Sequence, residues 1–179
     1  MKNRQEELLE LLDKLGASLY GLLTKLTLCE DVAEELMQEL FIKLNNSSGL
    51  DKVENWAAYA RKAAINLAFD WRRRQKTTTL RLDQAQEPAS NENSPLTKMI
   101  ETEQLQEVLS AIGRLNAPSR QALVMRYIQQ QSYDYIAEQL CKTPHQVRAL
   151  CSKALKNLRD TFGRNQPQPS QKEAHDVEN

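Results

Sequence analysis

The sequence predicts an all-α fold, with two small helical domains joined by a flexible linker. Three observations carry that prediction. Leucines recur at 8, 12, 15, 19, 22 and 26, a spacing of four and three that lines one face of a helix. Only 5 glycines and 6 prolines punctuate 179 residues, which are rich in Leu, Gln, Ala, Glu, Lys and Arg, residues that lose little on entering a helix. Residues 77–97 (TTTLRLDQAQEPASNENSPLT) drop all hydrophobic period between two periodic stretches, as a linker does.

The leucine face predicts a first helix from Glu6 to Leu26. A coiled-coil strand would show the same spacing, but the run is short of three heptads and Gly16 and Gly21 interrupt it. A second amphipathic helix covers Asp31 to Leu44, with Val32, Leu36, Leu40 and Leu44 on its stripe, and residues 45–54 (NNSSGLDKVE) read as a loop. A third helix runs from Asn55 to Gln75. Helical period resumes over Lys98–Ile112, Pro118–Ile128, Ser132–Leu140 and Pro144–Phe162. The domains are therefore residues 1–76 and 98–163, followed by a polar, proline-bearing tail at 164–179 that reads as disordered.

Lysine plus arginine equal aspartate plus glutamate at 24 each, so only the distribution of charge is informative. Residues 61–76 carry six basic side chains against Asp70 alone, and residues 142–159 carry five and no acid. Acids gather instead at Glu30, Asp31, Glu34, Glu35 and Glu39. Two basic patches and one acidic face suggest two polyanion contacts and a different partner for the third surface. The three cysteines form no CxxC pair and read as reduced side chains; with no apolar signal core and no run of about 18 apolar residues, a cytoplasmic protein without membrane insertion is expected. Cys141 and His145 lack a second ligand pair, so no metal and no cofactor is expected, and no acid pair or triad suggests an enzyme.

Residues 132–159 (SYDYIAEQLCKTPHQVRALCSKALKNLR) hold the sharpest local signal. Ser132 can cap a short helix whose apolar face is Ile136, Ala137 and Leu140. After the break Cys141-Lys142-Thr143, the run T-P-H-Q is a capping box, with Pro144 at the first helical position, where its missing N–H does no harm. Ala137 is small where the two helices would cross, and Val147 and Leu150 supply the second helix's buried side. This is a helix-turn-helix. Its second helix offers Thr143, His145, Gln146, Arg148, Ala149, Ser152, Lys153 and Lys156 to a major groove, where such helices read base edges and phosphates. A helical hairpin with charges merely facing water is the bland alternative.

With RLNAPSRQALVMRYIQQQ upstream, this segment resembles the promoter-binding C-terminal domain of bacterial sigma factors. AEELMQELFIKL (33–44) resembles that family's acidic helix for core RNA polymerase, and WAAYARKAAINLAFDWRRR (56–74) resembles its helix for the melted promoter strand. The short linker is similar to that of the extracytoplasmic-function (ECF) group. The resemblance implies a factor that binds core polymerase, recognises the −10 and −35 promoter elements and assists melting. It implies roles for Glu34, Glu35, Gln38 and Phe41 at the polymerase, and for Trp56, Tyr59, Arg61, Lys62, Asn66, Asp70, Arg72 and Arg73 at the melted strand, with a flipped base held by the loop 46–55. It also implies an anti-sigma partner. Core packing competes as the role of Trp56 and Tyr59, and Trp71 reads as core. Cys141 departs from the glycine usual in the turn, Glu35 from an aspartate, and the tail is longer than the fold requires. The rival reading is a stand-alone helix-turn-helix regulator with a sensing or dimerising N-terminal half. A helical interaction protein with incidental basic patches is a third.

Overall fold

The computed structural model describes residues 4–46, 55–82 and 96–163. They form α1 (Arg4–Thr27), α2 (Glu30–Asn46), α3 (Trp56–Leu82), α4 (Leu96–Gly113), α5 (Ala117–Leu123) with a π-helical turn at Val124–Ile128, α6 (Tyr133–Leu140) and α7 (Pro144–Gly163). Parts of the expected loop (47–54) and linker (83–95), and the expected tail (164–179), lie outside the described residues.

α1 packs on α2 and α3. Leu19, Leu22, Leu23 and Leu26 are buried against Ala33, Leu36, Leu40 and Leu44 of α2 and the Ala60–Phe69 stretch of α3. Leu15 is partly buried against the same cluster, and the exposed leucines lie nearer the start of α1. Leu9 is 64% exposed and Leu12 is also exposed. Where α1 ends, Leu28 takes φ 61° and its N–H donates to the Thr24 carbonyl at 2.8 Å. The Cys29 carbonyl then accepts from Ala33, and Glu30 and Asp31 sit in the first turn of α2, where the helix dipole favours acids.

α3 runs on to Leu82, past Gln75 and into the stretch expected to be linker. Thr77–Thr79 are poor helix formers, but neither Gly nor Pro stops an established helix before Pro88, and adding a residue to a formed helix is far easier than nucleating one. α4 starts two residues before Lys98. The helix expected over Pro118–Ile128 is α5 plus the π turn. There Gln129 N–H reaches the Val124 carbonyl at 3.1 Å, five residues back, a wider register that hydrophobic period does not encode.

In the C-terminal half α7 packs on α5, α6 and α4. Val147, Cys151, Ala154 and Leu158 form its buried stripe, while Leu150 is only half-buried. The cores of the two halves merge into one contiguous apolar cluster. Phe69 of α3 sits at the seam, so close to Gly113 of α4 that a Cβ there would stand 3.3 Å from its ring.

Candidate nucleic-acid interface

The turn between α6 and α7 is built as its local chemistry dictates. Ser132 is extended (φ −70°, ψ 155°) and its Oγ accepts from Tyr135 N–H at 3.1 Å. α6 ends in a Schellman motif, with Lys142 N–H on the Ala137 carbonyl (2.9 Å) and Cys141 N–H on that of Glu138 (3.3 Å). That motif requires the left-handed conformation at Cys141, which is found at φ 52°, ψ 51°. A glycine would take it freely; cysteine is strained there by about 1–2 kcal/mol.

Thr143 and Gln146 close the capping box reciprocally. Thr143 N–H donates to Gln146 Oε1 at 2.9 Å, and Gln146 N–H to Thr143 Oγ1 at 3.2 Å. α7 therefore starts rigidly at Pro144 and turns His145, Arg148, Ala149, Ser152, Lys153 and Lys156 to solvent. Its buried side is apolar and its exposed side carries no acid before Asp160. Arg148 is set further by Tyr133, over whose ring its guanidinium lies at 5.2 Å from the centroid.

The N-terminal residues expected to meet melted DNA separate into two groups. Asn55 caps α3 through Ala58 N–H (2.9 Å), and this helix start bears Trp56 edge-on to Tyr59, with ring centroids 6.4 Å apart. Both rings are half-buried and packed on the core, so part of each remains available for stacking. Trp71, expected as core, is likewise half-buried against it. Lys62 is half-buried, and Arg73 pairs with Asp70 one turn back. Arg61, Asn66 and Arg72 instead face the C-terminal half. Arg61 Nη1 donates to Gln139 Oε1 (3.0 Å) and its guanidinium lies over Tyr135. Asn66 Oδ1 accepts from Arg120 Nη2 (3.0 Å) and Gln121 Nε2 (3.4 Å). Arg72 donates to the Leu26 carbonyl (3.2 Å) and to Gln106 on α4.

Arg120 is the residue that the sequence reading missed. It is 5% exposed, stacks over Phe69 at 5.3 Å, and donates to the carbonyls of Gly113 and Leu115. Burial lowers its pKa, Arg73 nearby adds to the lowering, and Asp70 opposes it. Nothing in PSRQ distinguishes a buried arginine from a surface one.

On α2, Glu34, Glu35 and Gln38 are exposed and Phe41 is half-buried, above the buried stripe Ala33, Leu36, Leu40 and Leu44. Ile42, 61% exposed, adds an apolar member to this acidic face. Arg74 of α3 reaches Glu39 at 3.9 Å.

A capped helix with no acid before Asp160 on one half and a basic helix led by aromatics on the other have the make-up of a helical DNA-binding protein. Residues 11–78 match the model of sigma-70 region 2, and residues 105–158 that of sigma-70 region 4, together more than half of the chain. The chain belongs to the sigma-70 family and has the two-region organisation of its ECF group. A similar relative is the ECF RNA polymerase sigma factor SigX of Bacillus subtilis (strain 168), 26% identical over 164 residues, covering 86% of this chain and 83% of that protein. Among solved structures, the sigma factor RpoE in complex with the anti-sigma factor NepR from Bartonella quintana is matched at a TM-score of 0.45 and 18% identity, over 90% of this chain and 98% of that one. The stand-alone regulator reading is not favoured, because its sensing half would occupy the residues that match region 2. Among the described residues no helix is long and apolar enough to cross a membrane.

Proposed function

We propose that this sigma factor reads promoter DNA at two places, with α7 at the −35 element and the start of α3 at the melted −10 strand, while α2 docks on core polymerase. The observation that carries the reading is the capping box, which fixes α7 so that Arg148, Ser152, Lys153 and Lys156 share one outer side with no acid before Asp160. Arg148 suits base edges, whereas Lys153 and Lys156 suit phosphates. Trp56 and Tyr59 would stack on unpaired bases, each worth about 1–3 kcal/mol, comparable with the unstacking it replaces. Arg61, Lys62, Arg72 and Arg73 would follow the phosphates, while Asn66 and Asp70 would lie along the strand. Glu34, Glu35, Gln38 and Phe41 would form the polymerase contact, with Ile42 at its edge. Residues 1–76 and 98–163 act as the two functional domains, in the cytoplasm, with an anti-sigma protein as regulatory partner.

Binding both elements requires the halves to part. The elements lie about 25 base pairs apart, roughly 85 Å at about 3.4 Å per base pair. A compact chain of this length has a radius of gyration of about 16 Å. Parting also releases Arg61, Asn66 and Arg72 from Gln139, Arg120 and Gln106. Polymerase binding through α2 would supply the driving energy.

The deciding experiment adds the purified chain to core polymerase on a set of promoter templates. Promoter-dependent transcripts are expected; tight duplex binding without polymerase and no transcription would refute the reading.

A further inference from the structure

We infer that Tyr133 is a positioning residue for promoter reading: its ring holds the Arg148 guanidinium in the pose from which Arg148 meets a base edge. This rests on the base-reading role of Arg148 proposed above. An arginine on an exposed helix face has many rotamers, and a bidentate contact to a base uses only one or a few. Stacking on an aromatic face orients the guanidinium plane while leaving its edge N–H groups free for acceptors.

The ring is built to serve as a platform. Tyr133 is the first residue of α6, anchored by the Ser132 cap, half-buried and packed on the core. Its other cation, Arg126, lies 4.6 Å from the same centroid and is itself tied to the Gln131 carbonyl at 2.8 Å. Arg126 thus fastens the ring to the short connection between the π turn and α6. Arg148, by contrast, is exposed, and no other contact of its guanidinium is found among the described residues. The ring is fixed by the fold, and the arginine is fixed by the ring. The arrangement also links the two helices of the motif through a side-chain contact outside their apolar crossing.

The test uses holoenzyme made from core polymerase and the full chain, with promoters substituted one base pair at a time across the upstream element. Affinities are compared for the wild type, R148A, Y133L, Y133F and the Y133L/R148A double variant. R148A should abolish preference at one base pair. Y133L should weaken preference at that same base pair by about two- to fivefold, the effect of an exposed cation–π contact. Y133F, which keeps the ring, should retain the preference, and the double variant should match R148A. A loss from Y133L that is uniform across promoters, or that persists undiminished on the R148A background, marks a merely structural role and overturns the inference. So does a Y133F variant that behaves like Y133L. If R148A itself leaves every preference intact, the base-reading role of Arg148 falls and the inference falls with it. If R148A loses preference and Y133L does not, only the positioning role is lost.

Discussion

Nη2 of Arg120 donates to Oδ1 of Asn66 at 3.0 Å, tying α5 to α3 across 54 residues of sequence. The bond places a buried guanidinium of the C-terminal half on a side-chain amide of the N-terminal half. Replacing Asn66 by Ala removes an acceptor from a charged, buried donor and should lower stability by about 1–3 kcal/mol in urea denaturation. Combined with Gln139→Ala, which leaves Arg61 only its contact with the Tyr135 ring across the halves, it should raise the radius of gyration of the free chain in X-ray scattering. An unchanged radius would mean that these bonds do not hold the halves together.

Cys141 sits in a left-handed turn that strains any side chain. Cys141→Gly should relieve about 1–2 kcal/mol of strain and return up to about 1 kcal/mol to the flexibility of the unfolded chain. A net gain of about 0.5–1 kcal/mol follows, visible as a higher Tm. Cys141→Val, β-branched in the same conformation, should lower it. The strain argument fails if the two variants melt alike.

Lys156 is exposed two turns beyond Arg148 on α7. Lys156→Ala should weaken every promoter to the same degree and reduce the slope of log affinity against log salt by about one. A base-selective loss at unchanged slope would move Lys156 from phosphate to base contact.

Cys29 and Cys141 are exposed, while Cys151 is buried against the α5–α7 core. Burial pushes the Cys151 thiol above its ordinary pKa, and Arg126 partly offsets the rise. Near neutral pH a thiol reagent should label two sites quickly and the third only as the chain opens. Because the folded state favours the protonated thiol, its contribution to stability is whole below the unfolded pKa of about 8.5 and declines as pH rises towards the folded value. Cys151→Ala should flatten that alkaline decline; an identical pH profile would show that another group sets it.

Local chemistry was legible where it acts over three or four residues. The Thr143–Gln146 box, the Ser132 cap and the α2 stripe at Leu36, Leu40 and Leu44 follow from i, i+3 and i, i+4 relations that a linear reading contains, although Ala33 rather than the expected Val32 is the fully buried residue at the start of that stripe. Helix ends were less clear, since α3 continues through residues that merely lack a stop signal. The π turn was invisible, because its register is imposed by packing.

The helix-turn-helix therefore owes its form to nearest neighbours along the chain, as do the acidic face of α2 and the basic run of α3. Which basic residues stand open depends on the fold. Arg61, Asn66 and Arg72 meet partners 78, 54 and 34 residues away, and Arg148 meets its ring only because α6 and α7 cross. Hydrophobic period sets which side of each helix is buried, but long-range contacts depend on how those buried sides assemble. Arg120 meets Asn66 beside the ring of buried Phe69, and no pattern of neighbours along the chain encodes that meeting.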